Sequence, residues 1–471
     1  MMPLRPRALV LLALVACFAA DAFAWQAKVP VSVLRRRANP RPNIVLVVAD
    51  DLGWGDIGAY GQERIRTPNI DRMAREGMKF TAAYAGNTVC APSRCALMTG
   101  RHSGRGRIRS NVQVPLVPDD VTLAESLRAV GYKTFAIGKW ALGWEGTTGH
   151  PNRQGFDEFL GFLEQLDAHN HFPPRLWRNG EAFELPANAG GARGEYAHDL
   201  FAIGATNAIR ISVEKPFFLY LAPTLPHANN ERGTNGMEHP GAGRYAAEPW
   251  PLPERGKAEM ISRLDDMVGV VLDVLRRRQL DRDTLVFFTS DNGPHSESGV
   301  NAAFHRSSGP FRGLKRDLYE GGIRVPLIVW APGKIAPGTT NGTPVASWDF
   351  LPTIAEIARA PVPADIDGIS FAPLLRGKPM PREHDYLYWE AHERGYAQAV
   401  RAGNWKAVRM GPGKPLELYD LAADQGETND VAAVHPDVVA KLDGFIREAA
   451  DPFVAPTNHP PRPVWMAPKG K

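Results

Sequence analysis

Four apolar segments of the chain are each followed by side chains that can bind a metal ion, move a proton or hold an anion. Asp50 and Asp51 follow the segment IVLVVA, and Ser290-Asp291-Asn292-Gly293 follows LVFFT. Lys139 follows TFAI, and His227 lies beyond FFLYL, across a proline-flanked loop. Ligands bind beyond the carboxyl ends of strands in open parallel sheets, so we expect these side chains to meet at one edge of a sheet.

Four of these residues offer only oxygen atoms as ligands, namely Asp50, Asp51, Asp291 and Asn292. Such a set suits a hard cation, Ca²⁺ or Mg²⁺, rather than zinc. Each residue alone has a simpler explanation, because an Asp after a strand often caps a helix and Asp-Asn-Gly is a common turn. Two adjacent carboxylates at the end of a buried strand, however, would repel each other without a cation. The combination therefore predicts a metal site.

The stretch CAPSRCALMTGR, which begins at Cys90, contains the two cysteines of the chain's body. A disulfide between Cys90 and Cys95 is the weaker interpretation, because both would lie within about one helical turn, where the bridge geometry is hard to reach. Pro92 and Gly100 are placed to start and end a helix, with Cys90 at or just before its N-terminus. Free backbone N–H groups there favour an anion, which Arg94 would also face. The placement favours a reactive cysteine over an inert buried one.

An alternation of apolar and helical segments extends from residue 43 to about residue 360. It predicts an α/β fold with a mostly parallel sheet and helices on both faces. The predicted strands are 44–49, 134–137, 217–221 and 285–289. The predicted helices are 67–76, 122–130, 258–275 and 352–358.

The chain changes character after a connection rich in proline and glycine at about 361–382. Short strand-like pieces follow at 386–390, 398–401, 405–409 and 417–420, and a final helix is predicted at 436–449. We therefore expect a catalytic α/β domain over 40–375 and a smaller C-terminal α+β subdomain, with an antiparallel sheet, over 383–455.

The 471 residues carry a net charge of only +4, which argues against a dedicated nucleic-acid binder. Residues 1–24 resemble a signal peptide, with a charged start, an apolar run and a small-x-small cleavage site before Trp25. We therefore expect an exported protein, periplasmic or secreted. The segment Leu14-Val15-Ala16-Cys17 also resembles a bacterial lipoprotein box, which would leave Cys17 lipidated. No later stretch is long and apolar enough to span a membrane.

Several short motifs occur in a fixed order: IVLVVADDLGWGD, CAPSR followed by TGR, GKWALG, FTSDNGPH, KRDLYEGGIRVP and ELYDLAADQGE. Together they resemble the signatures of the type I sulfatases over about residues 42–450. The resemblance implies an alkaline-phosphatase-like α/β fold and the hydrolysis of sulfate esters. Carbohydrate sulfates are the expected natural class, and aryl sulfates are expected artificial substrates.

The resemblance also implies how the cysteine is used. A formylglycine-generating enzyme that recognises Cys-x-Pro-x-Arg would oxidise Cys90 to formylglycine (3-oxoalanine). One hydroxyl of the hydrated aldehyde would attack the sulfur, and the second would allow sulfate to be expelled. By the same resemblance, one Ca²⁺ ion would be held by Asp50, Asp51, Asp291, Asn292 and an oxygen of the modified Cys90.

The resemblance assigns further residues to the reaction. Arg94 would orient the formylglycine hydrate. Lys139 and Lys315 match the family's lysines that hold the sulfate and screen developing charge. His227 matches the histidine that protonates the leaving oxygen.

One position departs from the family's pattern, because GKWALG carries Ala141 where a histidine usually helps remove the formylglycine proton. Either another group takes over or that step is impaired. We expect His169, in Ala168-His169-Asn170-His171, or His295 to face the sulfate pocket and bind the substrate, with His305 as a further candidate. A loop histidine bonded to backbone is the structural alternative for His169.

Two other functions fit the same residues. A phosphonate or phosphate ester hydrolase of the same superfamily would share the formylglycine and the metal carboxylates. A non-catalytic binder of sulfated glycans would keep Cys90 unmodified. For the mouth of the site, the candidate residues are Trp144, Trp177, His392 and Glu393.

Overall fold

The computed structural model describes residues 41–111, 114–212 and 214–452. The predicted signal peptide and Cys17 lie outside this range. Within it, no helix has the length and apolar character needed to cross a membrane.

The first twelve strands belong to the α/β part of the chain. In chain order they are β1 (Asn43–Ala49), β2 (Met78–Phe80), β3 (Ala83–Tyr84), β4 (Lys133–Lys139), β5 (Glu158–Phe162), β6 (Arg175–Arg178), β7 (Glu181–Glu184), β8 (Phe217–Ala222), β9 (Thr284–Ser290), β10 (Leu327–Trp330), β11 (Thr339–Asn341) and β12 (Val345–Ala346). Ten of them form one sheet in the order β11-β2-β10-β9-β1-β8-β4-β5-β6-β7, and β3 pairs with β12. The central five, β9-β1-β8-β4-β5, run parallel to one another.

Helices cover both faces of this sheet. They are Pro68–Glu76, Cys90–Thr99, Leu123–Ala129, Ala197–Ile211, Leu252–Arg277, Glu320–Ile323, Phe350–Ala358 and Ala372–Leu375. Val45 and Val47 of β1 belong to one hydrophobic cluster, whereas Ile44 and Leu46 belong to another. Alternate residues of a strand point to opposite faces, so β1 is buried on both sides, which explains its unbroken apolar sequence. The predicted α/β fold with helices on both faces is confirmed.

The four predicted parallel strands are present, each slightly longer than expected. The helix predicted over 258–275 begins earlier, at Leu252, and ends at Arg277. Pro251 caps its N-terminus and Pro253 lies in its first turn, where proline leaves no hydrogen bond unmade. The helix predicted over 122–130 runs from Leu123 to Ala129, with the Thr122 side chain accepting a bond from the Glu125 N–H.

The C-terminal part contains a separate four-stranded antiparallel sheet. Its strands are β13 (Leu387–Ala391), β14 (Ala397–Ala402), β15 (Trp405–Arg409) and β16 (Glu417–Asp420), and the helix Pro436–Ala449 follows. Leu442 and Ile446 of this helix pack on one face of the sheet. Trp389, on the other face, packs with Ala96 of the helix Cys90–Thr99. The predicted α+β arrangement is confirmed, and the exact domain boundaries remain predictions.

Candidate active site

The pairing of β1 with β9 brings the predicted metal ligands together. Ala49 pairs with Ser290, so Asp50 and Asp291 leave neighbouring strands side by side. The Asp51 N–H donates to Asp291 Oδ1 (3.1 Å), and Asn292 Nδ2 donates to Asp51 Oδ1 (2.7 Å). Asp51 has a φ of 65°, a left-handed conformation that is strained for a residue with a side chain and that clusters at functional sites.

The helix Cys90–Thr99 places Cys90 against this cluster. Val89 precedes the helix and Gly100 ends it with a φ of 71°. Cys90 Sγ lies 3.2 Å from Asp50 Oδ1, and Cys90 and Cys95 are both buried and form no disulfide within the described part of the chain. Burial, followed by the nearby Asp50 charge, raises the pKa of the Cys90 thiol. The helix N-terminus favours an anion, but here burial and Asp50 outweigh it, so the site does not favour a thiolate nucleophile.

Each of the three carboxylates has a buried cationic partner. Lys139 Nζ lies 2.7 Å from Asp50 Oδ2, Lys315 Nζ 2.7 Å from Asp51 Oδ2, and Arg94 Nη2 2.7 Å from Asp291 Oδ2. None of these six side chains is more than 2% exposed. Three formal negative charges thus meet three positive ones, as a site excluded from water requires.

The electrostatic environment shifts the pKa values of two of these carboxyl groups, Asp50 and Asp291, in opposite directions. Burial alone would raise the pKa of Asp50, but the charges of Lys139 and Arg94 hold it well below its usual range. Burial and then the Asp50 charge raise the pKa of Asp291 to about 7, although Arg94 opposes the shift.

His227 faces Lys315 and Asp51. Its Nδ1 lies 2.7 Å from the Ala228 carbonyl oxygen and therefore carries the proton in the neutral ring. Its Nε2 lies 3.1 Å from Lys315 Nζ and 3.5 Å from Asp51 Oδ2. Burial, followed by Lys315, lowers the pKa of His227 well below its ordinary value. The ring is thus neutral, with Nε2 accepting a bond from the Lys315 ammonium.

The two predicted substitutes for the histidine missing at Ala141 occupy different environments. His169 stacks on His227, with ring centroids 4.6 Å apart and an angle of 17°, and its Nδ1 lies 3.2 Å from Glu231 Oε1. His295 lies farther away, 6.2 Å from His227. Its Nε2 reaches the Pro226 carbonyl (3.2 Å), and its Nδ1 accepts from the Glu297 N–H (3.0 Å).

The chain matches sequence models of known protein families. A sequence model of the sulfatase family matches residues 42–360, more than half of the chain. The chain belongs to the sulfatase family. A second model, for the C-terminal region of N-sulphoglucosamine sulphohydrolase, matches residues 312–449. The predicted membership of the type I sulfatases, within the alkaline phosphatase superfamily, is confirmed.

Named relatives of this sulfatase are enzymes. Human arylsulfatase A is 34% identical over 460 residues, covering 85% of this chain and 86% of the relative. Mouse N-acetylgalactosamine-6-sulfatase is 32% identical over 408 residues, covering 80% of this chain and 74% of the relative. The solved structure of Ps i-CgsB with k-i-k-neocarrahexaose has a TM-score of 0.76 at 29% identity, covering 87% and 92% of the two chains. The protein is a sulfuric ester hydrolase, and the matches favour neither a phosphate ester hydrolase nor a non-catalytic glycan binder.

A pocket of about 190 Å³ opens over the cluster of this sulfatase. It is lined by Asn111, Gln165, Leu166, His169, His227, Asn230, Lys315 and Arg316. His169 is thus at the pocket, whereas His295 is not among its lining residues. His305 bonds to the Glu254 carbonyl instead (3.2 Å).

The expected mouth residues are placed differently. Trp144 and Trp177 are only 6% exposed and belong to the hydrophobic core, so their assignment to the mouth was wrong. Both aromatic rings pack within one hydrophobic cluster, where their apolar surface is removed from water. Glu393 accepts a bond from the Asn111 N–H (2.8 Å) and so links the C-terminal subdomain to a pocket residue. His392 pairs with Glu390 (2.9 Å).

Sequence reasoning missed a pair of buried histidines behind His227. His171 Nε2 lies 2.9 Å from the His227 carbonyl, and His171 Nδ1 lies 2.9 Å from His198 Nε2. Burial lowers the pKa of His171 to about 4 and that of His198 well below its usual value. Both rings are therefore neutral, and each can donate one hydrogen bond toward His227. The repeated histidines in Ala168-His169-Asn170-His171 were the only sequence signal for His171.

Proposed function

We propose that this sulfatase hydrolyses sulfate esters of carbohydrates, using a formylglycine derived from Cys90 and one bound Ca²⁺ ion. The main observation behind the proposal is a cluster of buried, potentially metal-binding side chains that includes Cys90. Ligand atoms of Asp50, Asp51, Cys90 and His227 all lie within 4.8 Å of one another, and all four residues are buried. A buried cysteine that contacts a carboxylate is a poor nucleophile by itself, which supports its conversion to another group.

The donor set fits a hard divalent ion. The residues that would hold Ca²⁺ are Asp50, Asp51, Asp291 and Asn292. Asn292 Oδ1 is buried and has no hydrogen-bond partner among the residues that the structure describes, so an acceptor atom is left for a cation. A bound Ca²⁺ would supply a Lewis acid for the sulfate oxygens. Because the surrounding side chains are formally neutral together, a divalent ion would give the site the positive charge that an anionic substrate requires.

A formylglycine hydrate at position 90 would supply both the attacking hydroxyl and the hydroxyl through which sulfate leaves. Cys90 is completely buried. A formylglycine-generating enzyme cannot reach a buried thiol, so we propose that the oxidation precedes folding. The residues Cys90-Ala91-Pro92-Ser93-Arg94 would then be read as an extended segment.

Four side chains of the site handle charge and protons in this proposal. Lys139 and Lys315 hold the sulfate and offset charge that develops on its oxygens. His227 delivers a proton to the leaving oxygen through Nε2, which is unprotonated in the neutral ring and takes that proton from the Lys315 ammonium that donates to it (3.1 Å). Arg94 orients the residue at position 90, since its guanidinium is fixed by Asp291 and by the Lys139 carbonyl.

We further propose that His169 does the work of the histidine absent at Ala141. The Ala141 N–H donates to the Leu163 carbonyl (3.1 Å), which ties the segment that leads to His169 to position 141. Glu231 accepts from His169 Nδ1, which leaves Nε2 as the nitrogen that can take a proton. His295, which we predicted as a second substrate-binding histidine, supports the Glu297 backbone instead and stays a prediction.

Carbohydrate substrates are supported by the character of the pocket. Three of its lining residues carry amide side chains, Asn111, Gln165 and Asn230, and none of the described lining residues is Phe, Tyr or Trp. Amide groups suit sugar hydroxyls better than they suit an aryl ring. Export as a secreted or periplasmic protein, or lipidation at Cys17, belongs to this proposal, and the mass of the mature N-terminus would separate the two.

The proposal is tested by expressing the chain with a formylglycine-generating enzyme. Mass spectrometry of the tryptic peptide 80–94 should show the thiol of Cys90 replaced by an aldehyde. The same preparation should hydrolyse p-nitrophenyl sulfate faster than the matched phosphonate ester, and chelation of divalent ions should remove this activity. Sulfate turnover by a preparation in which Cys90 keeps its thiol would refute the role of formylglycine. Faster turnover of the phosphonate ester would refute the proposal that sulfate esters are the substrates of this site.

A further inference from the structure

A basic residue at the mouth of the pocket has no role in the reaction described so far. Arg316 follows Lys315 directly and lines the same pocket. Its φ of 78° is left-handed, which is uncommon for a residue with a long side chain. Its N–H donates to the Thr88 carbonyl (3.0 Å), two residues before Cys90. Such backbone strain persists only where the surroundings enforce it. Here the strained conformation places the side chains of both Lys315 and Arg316 at the same pocket.

The carboxylate of Glu297 contacts both Lys315 and Arg316, which shows that the two cations lie close together. Glu297 Oε1 lies 2.6 Å from Arg316 Nη2, and Glu297 Oε2 lies 3.7 Å from Lys315 Nζ. The ammonium and the guanidinium are therefore no farther apart than one carboxylate can span. Two substituents of one sugar ring are separated by a similar distance, so one sugar can reach both cations.

The guanidinium of Arg316 keeps donors for a ligand. It has five N–H donors, and Glu297 is its only ion-pair partner among residues 41–111, 114–212 and 214–452. The side chain is 29% exposed, so it is reachable from the pocket yet held in place. If Asp51 serves a metal ion, Glu297 is left as one negative charge against the two positive charges of Lys315 and Arg316.

We propose that Arg316 binds a second anionic group on the same sugar as the scissile sulfate, so that the natural substrate is a saccharide with two neighbouring anionic groups. This inference rests on the proposed function as a carbohydrate sulfatase. A second sulfate and a uronate carboxylate present the same chemistry to a guanidinium, which binds either through paired oxygens. Lys315 contacts the sulfate that is cleaved. Arg316 binds the second anionic group, which is not cleaved.

The test uses Arg316→Gln in the formylglycine-loaded enzyme, with Arg376→Gln as the matched control. Arg376 is also an Arg paired with a Glu, at 2.7 Å from Glu356, but it does not line the pocket. The substrates are p-nitrophenyl sulfate, a sugar monosulfate, and the same sugar with a second sulfate in one arm or a carboxylate in the other. Arg316→Gly is a second variant, because glycine adopts a positive φ without strain and keeps the fold.

The wild-type enzyme should prefer a doubly anionic sugar, and the arm that shows the preference identifies the group. Arg316→Gln and Arg316→Gly should each lower kcat/KM for that sugar by about 10- to 100-fold, mainly through KM, because a charge-assisted contact is lost. They should leave p-nitrophenyl sulfate within about twofold of wild type, as should Arg376→Gln on every substrate. Equal losses on all substrates, or no preference in wild type, would overturn the role of Arg316. Absence of wild-type turnover on every sulfate would instead refute the proposed function.

Discussion

Replacing Lys139 by methionine should make the stability of the protein depend on Ca²⁺. Lys139 Nζ lies 2.7 Å from Asp50 Oδ2, and neither side chain is exposed. Methionine keeps a long apolar side chain but removes the charge, which leaves the buried Asp50 carboxylate with only the more distant Arg94 guanidinium, at 3.7 Å. Loss of one partner from a buried ion pair costs about 3–5 kcal/mol of the free energy of unfolding. We expect a cost at the lower end of this range in the absence of divalent ions, because Arg94 still faces Asp50.

Calcium should offset much of that cost, because Asp50 is also a proposed ligand. An ion that binds only the folded state stabilises the wild type by about 2.7 kcal/mol at a concentration a hundred times its Kd. In Lys139→Met a positive charge that competes for the same carboxylate is gone, so Ca²⁺ should bind at least about tenfold tighter, a further gain of about 1.4 kcal/mol. The difference between variant and wild type should therefore shrink when Ca²⁺ is added.

The assay is urea unfolding followed by tryptophan fluorescence, in chelator and in excess Ca²⁺. Lys406→Met is the matched control, since Lys406 is also fully buried and bonds Glu320 (3.0 Å) and Glu427 (2.8 Å), away from the metal ligands. Both variants should be destabilised in chelator, and only Lys139→Met should recover with Ca²⁺. An equal cost for Lys139→Met in both solutions, or equal recovery of Lys406→Met, would refute the shared use of Asp50.

Three further substitutions test the site and its support. Cys90→Ala should abolish turnover of p-nitrophenyl sulfate while thermal unfolding stays close to wild type, and retained activity would contradict the role of Cys90. His227→Gln should slow hydrolysis of a sugar sulfate by about 10²–10⁴-fold but affect p-nitrophenyl sulfate much less, because that leaving group hardly needs a proton; equal losses in kcat would contradict proton donation. His384→Gln tests pH dependence, since burial would lower the pKa of His384 but Asp349, 2.8 Å away, raises it. The stabilising pair is complete below the ordinary pKa of about 6.5 and is lost as the pH rises through the raised pKa, so the variant's deficit in urea unfolding should be larger at about pH 5.5 than at about pH 9. An equal deficit at both values would contradict the pair.

The central sheet was predictable because strands that are buried on both faces have continuous apolar sequences. β1, β4, β8 and β9 are fully or almost fully buried, and each contains an uninterrupted apolar run. β2, β3, β10, β11 and β12 are only two to four residues long, too short for a periodicity to be seen. The helix Ala197–Ile211 was missed because Tyr196 precedes it without a side-chain cap, which removes the usual start signal.

The deep part of the site was predictable from the ends of those strands. Asp50, Asp51, Lys139, Asp291 and Asn292 all follow or end a central strand, and parallel strands bring their carboxyl ends to one edge. The mouth was not predictable, because its loops are shaped by contacts between distant parts of the chain. Arg316 is set by Glu297 and by Thr88. Asn111 is held by Glu393 of the C-terminal sheet region.

We propose that the alanine at position 141 and the histidine at position 169 are coupled in the sulfatase site, with His169 in the role of the absent histidine. Ala141 has a φ of 64°, so the chain turns away directly after β4 and offers only a methyl group there. The backbone bond from Ala141 to Leu163 extends the pairing of β4 with β5 by one step, and the segment beyond Leu163 returns to the pocket with Gln165, Leu166 and His169. We expect a larger side chain at 141 to compete with that segment for the same region. If so, Ala141→His should not improve catalysis in the presence of His169, and a gain in kcat would show that the two positions are independent.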